Sequence, residues 1–380
     1  MILFDLSATQ PMGNTKRHGG GKYGEVVLRH ILKRGRPVTC YYDSRKWLNP
    51  DIKNLLCREG IKLLDLNDTN LKQMVEQTEA SAIFSALPQL KLFKFDRCKV
   101  IGTIHGLRRL ETPADPLFFQ YKNIGLRSFA IYIFQSLMSG LYKQILCKYK
   151  LREWTNPLFH FVAVSNHSAC SIKTYFPELK TREIPVFYSP STSTNKQYTT
   201  RYYERYFLLV SGNRPEKNNL RAIKALDMLF SNGYLPDFNV KITGAKSAAI
   251  YRYKIKNADK FSFLGYVDEE EFGQLYHDAY ALIYPSLNEG FGYPPLEAMH
   301  YGVPVLASPY SSISEVCEGA ALYFNPFSVE EIATRIMYAS DPNVRAEYAE
   351  RALAQYEKVT KRQNEDLDRL VDYIYKIAEE

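Results

Sequence analysis

Two carboxylates, Glu289 and Glu297, flank seven residues of the stretch EGFGYPPLEAMHYGVPV (289–305), and Gly290, Gly292, Pro294 and Pro295 lie between them. An acid in so bare a turn can accept hydrogen bonds from sugar hydroxyls, and Glu289 has no helical role there that would compete. Pro294 and Pro295 suit the first positions of a helix, where their missing N–H groups are no loss. That leaves Gly292, Tyr293, Leu296 and Glu297 as the backbone donors for a phosphate. The composition reads as helical from Leu296 to Tyr301, with Gly302 as its stop. Glu297 then falls in the first helical turn. There a carboxylate can complement the dipole and cap the backbone, or accept the two hydroxyls of a ribose.

Three further stretches could carry chemistry. FLLVSGNRPEKNNLRAIKAL (207–226) ends a strand and opens a helix, with Arg214 and Lys217 in the connecting loop. Two cations beside a helix N-terminus would hold a diphosphate, although surface loops also carry Lys and Arg for solubility. RHGGGKYGEVVLRHIL (17–32) sets Gly19, Gly20 and Gly21 before a helix. Bare backbone N–H groups there form an anion site; a flexible loop with positive φ is the competing reading. VIGTIHGLRRLETP (100–113) ends a strand in His105, placed for a ligand or for a structural hydrogen bond.

These residues must be held at strand ends. MILFDLSA, PVTCYYD, SAIFSALP, CKVIGTIHG and FHFVAVS alternate with longer amphipathic segments, the rhythm of a parallel βαβ sheet. The rhythm restarts with RYFLLVSGN, FNVKITGA, KFSFLGYV, AYALIYPS, VPVLAS and AALYFNP. The expected fold is α/β: two Rossmann-like domains whose parallel sheets face a central cleft. Residues 1–185 form the first, 186–204 a linker rich in Ser, Thr and Tyr, and 205–360 the second. A terminal helix, 361–380, crosses back to the first domain. The candidate loops then lie at carboxyl ends of strands, where open α/β sheets bind ligands.

Composition narrows the classes. The chain has 380 residues, 46% apolar and 24% charged, enough for two cores. Its six cysteines (40, 57, 98, 147, 170 and 317) form no C-x-x-C pair or metal-ligand spacing, as suits reduced thiols in the cytoplasm. MILFDLSATQ reads as a first strand and not as a signal peptide. FAIYIFQSLM (129–138) is too short to cross a bilayer, which takes roughly 20 residues. The net charge of +8 points to an anionic partner. Neither half carries the dinucleotide fingerprint of an NAD-dependent oxidoreductase. Asp366-Leu367-Asp368 has the metal-binding Asp-x-Asp pattern, but in a helix residues two apart do not share a face, so no metal is expected.

SGNRPEKN, FLGYVDEEEFGQLYHDAYALIYPSLNEGFGYPPLEAMHYGVPVLAS and SEVCEGAALYFNP resemble the signature blocks of glycosyltransferase family four, retaining enzymes of the GT-B fold that use nucleotide sugars. The likeness is dense from 205 to 327. Before 185 it rests on the glycine loop, TIHG and AVSNHS. It implies that Glu289 meets donor-sugar hydroxyls and Glu297 the ribose, and that Arg214 and Lys217 hold the diphosphate. It also implies that Gly20, with Gly21, approaches the phosphate, that His105 touches the sugar, and that Gly265 and Tyr266 bracket the base. Gly290, Phe291, Gly292, Tyr293 and Leu296 complete the implied donor site. In two places the sequence departs from the family pattern. Asn213 follows the glycine, with Arg214 only three residues before Lys217, and His105 is followed by Gly106 where the family has an acid.

The function so implied is metal-independent, retaining transfer of a sugar from a nucleoside diphosphate to a glycan or lipid-linked glycan in surface polysaccharide or lipopolysaccharide assembly. A nucleotide-sugar epimerase of the same fold and a non-catalytic donor-binding subunit are the alternatives. Residues 116–152 hold six Lys or Arg and no acid, interleaved with Leu, Phe, Ile and Tyr. That composition suits docking on an anionic membrane from the cytoplasmic face, or a pair of helices covering the first sheet.

Overall fold

The apolar runs become buried strands of two parallel sheets. The computed structural model describes residues 1–11, 18–89, 95, 97–122, 125–191 and 203–380, with the backbone alone at 149 and 151–153. The first sheet comprises β1 (Ile2–Asp5), β2 (Val38–Tyr42), β3 (Leu63–Asp65), β4 (Ala82–Ser85), β5 (Lys99–Ile104) and β6 (Phe159–Ala163), in the order β3-β2-β1-β4-β5-β6. The second comprises β7 (Tyr206–Leu209), β8 (Asn239–Thr243), β9 (Phe261–Gly265), β10 (Ala281–Tyr284), β11 (Val305–Ala307) and β12 (Ala321–Tyr323), in the order β12-β11-β10-β7-β8-β9. Read from the other edge, the second order repeats the first. Both sheets are parallel throughout. Every run expected as a strand is one. The sequence reading missed β3, a three-residue, half-buried strand at the sheet edge.

The strand order reverses between β1 and β4 in one sheet and between β7 and β10 in the other. At such a switch point the crossover helices leave to opposite sides, opening a crevice at the strand carboxyl ends. The loops after β7 and β10 carry Arg214, Lys217 and Glu289, so the second switch point gathers the residues singled out for chemistry.

Two compact units emerge. One contains Met1–Leu107, Gln144–Thr192 and Thr360–Glu380; the other contains Arg108–Lys143 and Ser193–Val359. The allegiance of Arg108–Lys143 differs from the division at 185. Leu117 and Tyr121 are buried in the second unit's core beside Leu220 and Tyr251. Asp115 holds Arg221 in a two-pronged ion pair at 2.5 and 2.8 Å, and the Lys122 N–H donates to the Ile250 carbonyl at 2.8 Å. The linker placed at 186–204 lies largely outside the described residues.

The last helix runs unbroken from Pro342 to Glu379, nineteen residues earlier than its sequence assignment at 361. From Thr360 onward it packs in the first unit, where His30 meets Asp368 at 2.8 Å and Arg34 meets Asp372 at 2.7 Å. Asp366 accepts the Tyr188 N–H at 2.9 Å and pairs with Arg369 at 2.8 Å. It is a structural acid.

Candidate functional site

The loop after β7 is shaped by its own residues. Pro215 starts a single 3-10 turn, Pro215–Lys217, and Asn218 ends it at φ +58°. Asparagine tolerates this left-handed conformation better than most residues. The buried Asn218 amide donates to the carbonyls of Pro285 (3.1 Å) and Pro326 (2.7 Å), and Asn219 donates to Val210 at 2.7 Å. The Leu287 N–H donates to the Glu216 carbonyl at 3.0 Å. These bonds lock the β7 and β10 loops together, so the Lys217 and Glu289 side chains meet by construction.

Lys217 and Glu289 form a buried ion pair through Glu289 Oε1. The same oxygen accepts from the Tyr284 hydroxyl at 2.6 Å and the Ser286 hydroxyl at 2.5 Å, and Lys217 Nζ also donates to Tyr284 Oη at 2.7 Å. On the main chain, the Glu289 N–H donates to Ser311 Oγ (2.7 Å) and its carbonyl accepts from Ser312 Oγ (3.0 Å). Burial pushes the Glu289 carboxyl up. The charges of Lys217 and Arg108 and the bonds from Lys217 and Ser286 outweigh it and hold the group down at about 2. Burial pulls Lys217 below the ordinary lysine value, and Glu289 opposes that pull.

Arg214 does not reach this pair. Its Nε and Nη2 donate to Glu216 Oε1 at 2.9 and 2.6 Å, and Arg108 Nη1 meets the same oxygen at 3.3 Å. Burial would raise the Glu216 carboxyl; the two arginines bring it below the usual carboxylate range. Glu216 and Arg108 were not singled out by sequence. Neither were Tyr284, Ser286, Ser311 and Ser312.

Around Glu297 the helix differs from expectation. It spans Tyr293–His300, with Gly292 at φ +107° before it and the prolines inside its first turn. Starting three residues earlier than assigned, it places Glu297 in the second turn, where a carboxylate cannot cap the N-terminus. The preset φ of Pro294 and Pro295 and the glycine's freedom at positive φ account for the shift. Glu297 is half-buried. Burial first, and then the Glu297 charge, hold the Tyr276 phenol well above its usual value. Phe291 is buried with its ring 5.6 Å from that of Tyr293. Gly265 ends β9 at φ +70°, and Tyr266 beyond it is 86% exposed. Gly290 lies in the loop between Glu289 and the helix.

In the first unit the glycine helix spans Gly19–Lys33. His18 caps it: Nδ1 accepts the Gly21 N–H at 3.0 Å and Nε2 lies 3.1 Å from the Gln10 carbonyl. A Cβ on Gly21 would lie 2.9 Å from the Thr9 carbonyl oxygen, and one on Gly20 would lie 2.7 Å from Leu87. Close packing, on the Thr9 backbone for Gly21 and on the Leu87 side chain for Gly20, therefore accounts for both, and the Gly21 N–H already has a partner. His105 Nε2 donates to the Ala86 carbonyl at 2.9 Å, and the ring stands edge-on to Tyr23. Burial dominates and drops its pKa to about 4, although the Ala86 bond opposes the shift. The imidazole is neutral near pH 7.

Residues 192–355 match the family model described as Glycosyl transferases group 1. Over 191 residues the chain is 32% identical to O-antigen chain mannosyltransferase RfbU of Salmonella typhimurium, covering 50% of this chain and 52% of that one. The chain thus spans about half the length of that curated relative. Among solved structures, a glycosyltransferase from Rickettsia africae superposes with a TM-score of 0.66 at 15% identity, covering 99% and 98% of the two chains. Anabaena HepE, in complex with UDP-glucose, superposes with a TM-score of 0.61 at 17% identity, covering 97% and 98%. At these identities the likeness is one of fold, and it extends over both sheets. The chain has the GT-B fold, and the residues that match the glycosyl transferases group 1 model lie almost wholly in its second unit.

Proposed function

We propose that this protein is a retaining glycosyltransferase that moves a sugar from a nucleoside diphosphate to a glycan or lipid-linked glycan acceptor, in bacterial surface polysaccharide or lipopolysaccharide assembly. The observation that carries the reading is the buried Lys217–Glu289 pair at the second switch point. In the reaction, the bond between the anomeric carbon and the phosphate oxygen breaks as a new one forms to an acceptor hydroxyl on the same face. The departing diphosphate takes the hydroxyl proton. Lys217, joined by Arg214, stabilises the charge that develops on it, the role a metal ion fills elsewhere. Glu289 meets the sugar hydroxyls through Oε2, since its side-chain partners all occupy Oε1. Glu297 takes the ribose, with Gly265 and Tyr266 beside the base. Incubating purified protein with a panel of nucleotide sugars tests the reading. Release of nucleoside diphosphate with retained anomeric configuration supports it; epimerised nucleotide sugar, or binding without turnover, overturns it.

The acceptor is proposed to come from an anionic membrane surface. No helix among the described residues is long and apolar enough to cross a membrane. Yet the helix Leu126–Leu137 exposes Leu126, Phe129, Leu137 and Arg127, and the helix Ser139–Trp154 exposes Leu141, Ile145 and Lys148. Each basic residue near such a surface contributes about 1 kcal/mol. Replacing Lys143, Lys148 and Lys150 by Glu should weaken binding to anionic liposomes and leave turnover of a water-soluble acceptor intact. Equal liposome binding by both proteins removes this part of the proposal.

A further inference from the structure

Within the second unit, beneath the helix Leu126–Leu137, lies a cavity of about 470 Å³, inside the roughly 300–1,000 Å³ range of small-molecule sites. One wall holds Phe118 and Tyr132, whose rings stack 4.8 Å apart and nearly parallel. The hydroxyl of Thr112, another lining residue, is buried without a hydrogen-bond partner. Gln135 donates one amide hydrogen to the Thr112 carbonyl at 2.8 Å, and its amide has further donor and acceptor capacity. The remaining wall includes Glu216 and Leu287. The first adjoins Lys217 in the chain and the second lies two residues before Glu289, so both site loops also border the cavity.

We propose that this cavity is the acceptor subsite and that it takes a saccharide ring. A sugar presents an apolar face of C–H groups and a rim of hydroxyls. Aromatic side chains match the first, and the orphan Thr112 hydroxyl and the Gln135 amide match the second. A buried polar group without a partner costs about 1–3 kcal/mol, and a bound hydroxyl relieves that cost. The shared loops bring the acceptor beside the donor site, with Arg108 and Glu216 on the border between the two. This assignment rests on the transferase reading, so the experiment separates the two.

Ile131 lines the cavity and is 39% exposed, so Ile131→Trp fills the space without disturbing the core. Thr112→Val removes the orphan hydroxyl alone. The probes are methyl α- and β-glycosides of glucose, galactose, mannose and N-acetylglucosamine. The readouts are glycoside-stimulated turnover and donor hydrolysis by water. At least one glycoside should stimulate the wild type, and Ile131→Trp should lower that stimulation at least tenfold, with hydrolysis and nucleoside-diphosphate affinity within twofold of wild type. Thr112→Val should raise the glycoside KM several-fold and leave hydrolysis unchanged. Stimulation kept within twofold in Ile131→Trp overturns the assignment, as does a wild type that hydrolyses donor but responds to no glycoside. A wild type that neither binds nor hydrolyses any donor refutes the transferase reading instead. Saturation-transfer NMR with the same glycosides then decides the cavity: a signal lost in Ile131→Trp upholds it, and no signal in the wild type overturns it.

Discussion

Replacing Glu289 by Gln keeps the shape of the side chain and removes its charge from a buried ion pair. The carboxyl is held at about 2 against an ordinary 4.5, so the folded protein favours the ionised form by roughly 3 kcal/mol at 1.36 kcal/mol per unit. Breaking a buried pair from one side costs about 3–5 kcal/mol, because the other charge is stranded. For a unit of roughly 200 residues, each kcal/mol moves the melting temperature by about 2–4 °C, which predicts a fall of about 6–20 °C. Lys217→Met should cost a similar amount. The double variant strands neither charge and should lose little more than one single variant, giving a coupling energy of about 3 kcal/mol. Saturating nucleoside diphosphate should shrink the Glu289→Gln deficit, since the ligand's charge replaces the lost carboxylate beside Lys217. Affinity for that ligand should stay near the wild-type value or tighten while turnover of the intact donor collapses. Glu297→Gln should instead weaken nucleoside-diphosphate binding by about tenfold, through the lost ribose bonds. Thermal and urea unfolding with and without ligand, calorimetry and initial rates measure all of this. Additive single losses would refute the pairing. Matching affinity losses in Glu289→Gln and Glu297→Gln would refute their separate roles.

Because the Glu289 pKa is depressed, its contribution to stability is complete above the ordinary value of 4.5 and is lost as pH falls toward about 2; urea midpoints should drop over that window in the wild type, and Glu289→Gln should lack this component. His105 is also depressed, to about 4, so the unfolded chain binds its proton first, and stability should decline as pH falls from 6.5 to about 4. An NMR titration of the ring should show a midpoint near 4, and His105→Gln should flatten that limb; a midpoint near 6.5 contradicts the burial argument. Glu216→Gln releases Arg214 and Arg108 from one carboxylate and should tighten nucleoside-diphosphate binding by roughly three- to tenfold; calorimetry showing weaker binding would mean that Glu216 positions Arg214 for the ligand.

Strands and strand-end loops were legible because their signals are local. AYALIYPS and FLLVSGN are apolar runs closed by turn residues, and burial on both faces of a parallel sheet calls for such runs. Leu63–Asp65 gave no such signal, being three half-buried residues at an edge. The start of the Tyr293–His300 helix was placed late because composition reads as helical only from Leu296, although the two prolines suit the first helical positions and are its second and third residues. Contacts between distant positions were not legible at all. Arg108 and Glu216 are 108 residues apart, Asp115 and Arg221 are 106 apart, and nothing in LRRLETPADP signals that it packs with the second unit. The His18 cap was the nearest to readable: a histidine directly before three glycines can fold back onto the third N–H, as it does here.

In the proposed diphosphate site a carboxylate looks like an electrostatic error, since it should repel the ligand. The energetics of Lys217 explain its presence. Lys217 is 5% exposed, and burial opposes its charge, so an ammonium left unpaired there would bear the full desolvation penalty. Glu289 offsets that penalty while the site is empty. It does so through one oxygen, which Tyr284 and Ser286 also anchor, so the carboxylate stays in place when a diphosphate arrives to share Lys217. Glu216 treats Arg214 and Arg108 in the same way nearer the surface. In the proposed site the cations are thus oriented before the ligand arrives, and a diphosphate joins the carboxylates on them without displacing Glu289. An apolar residue at 289 would remove the repulsion but strand the Lys217 charge in the empty site, so its cost should appear first in stability.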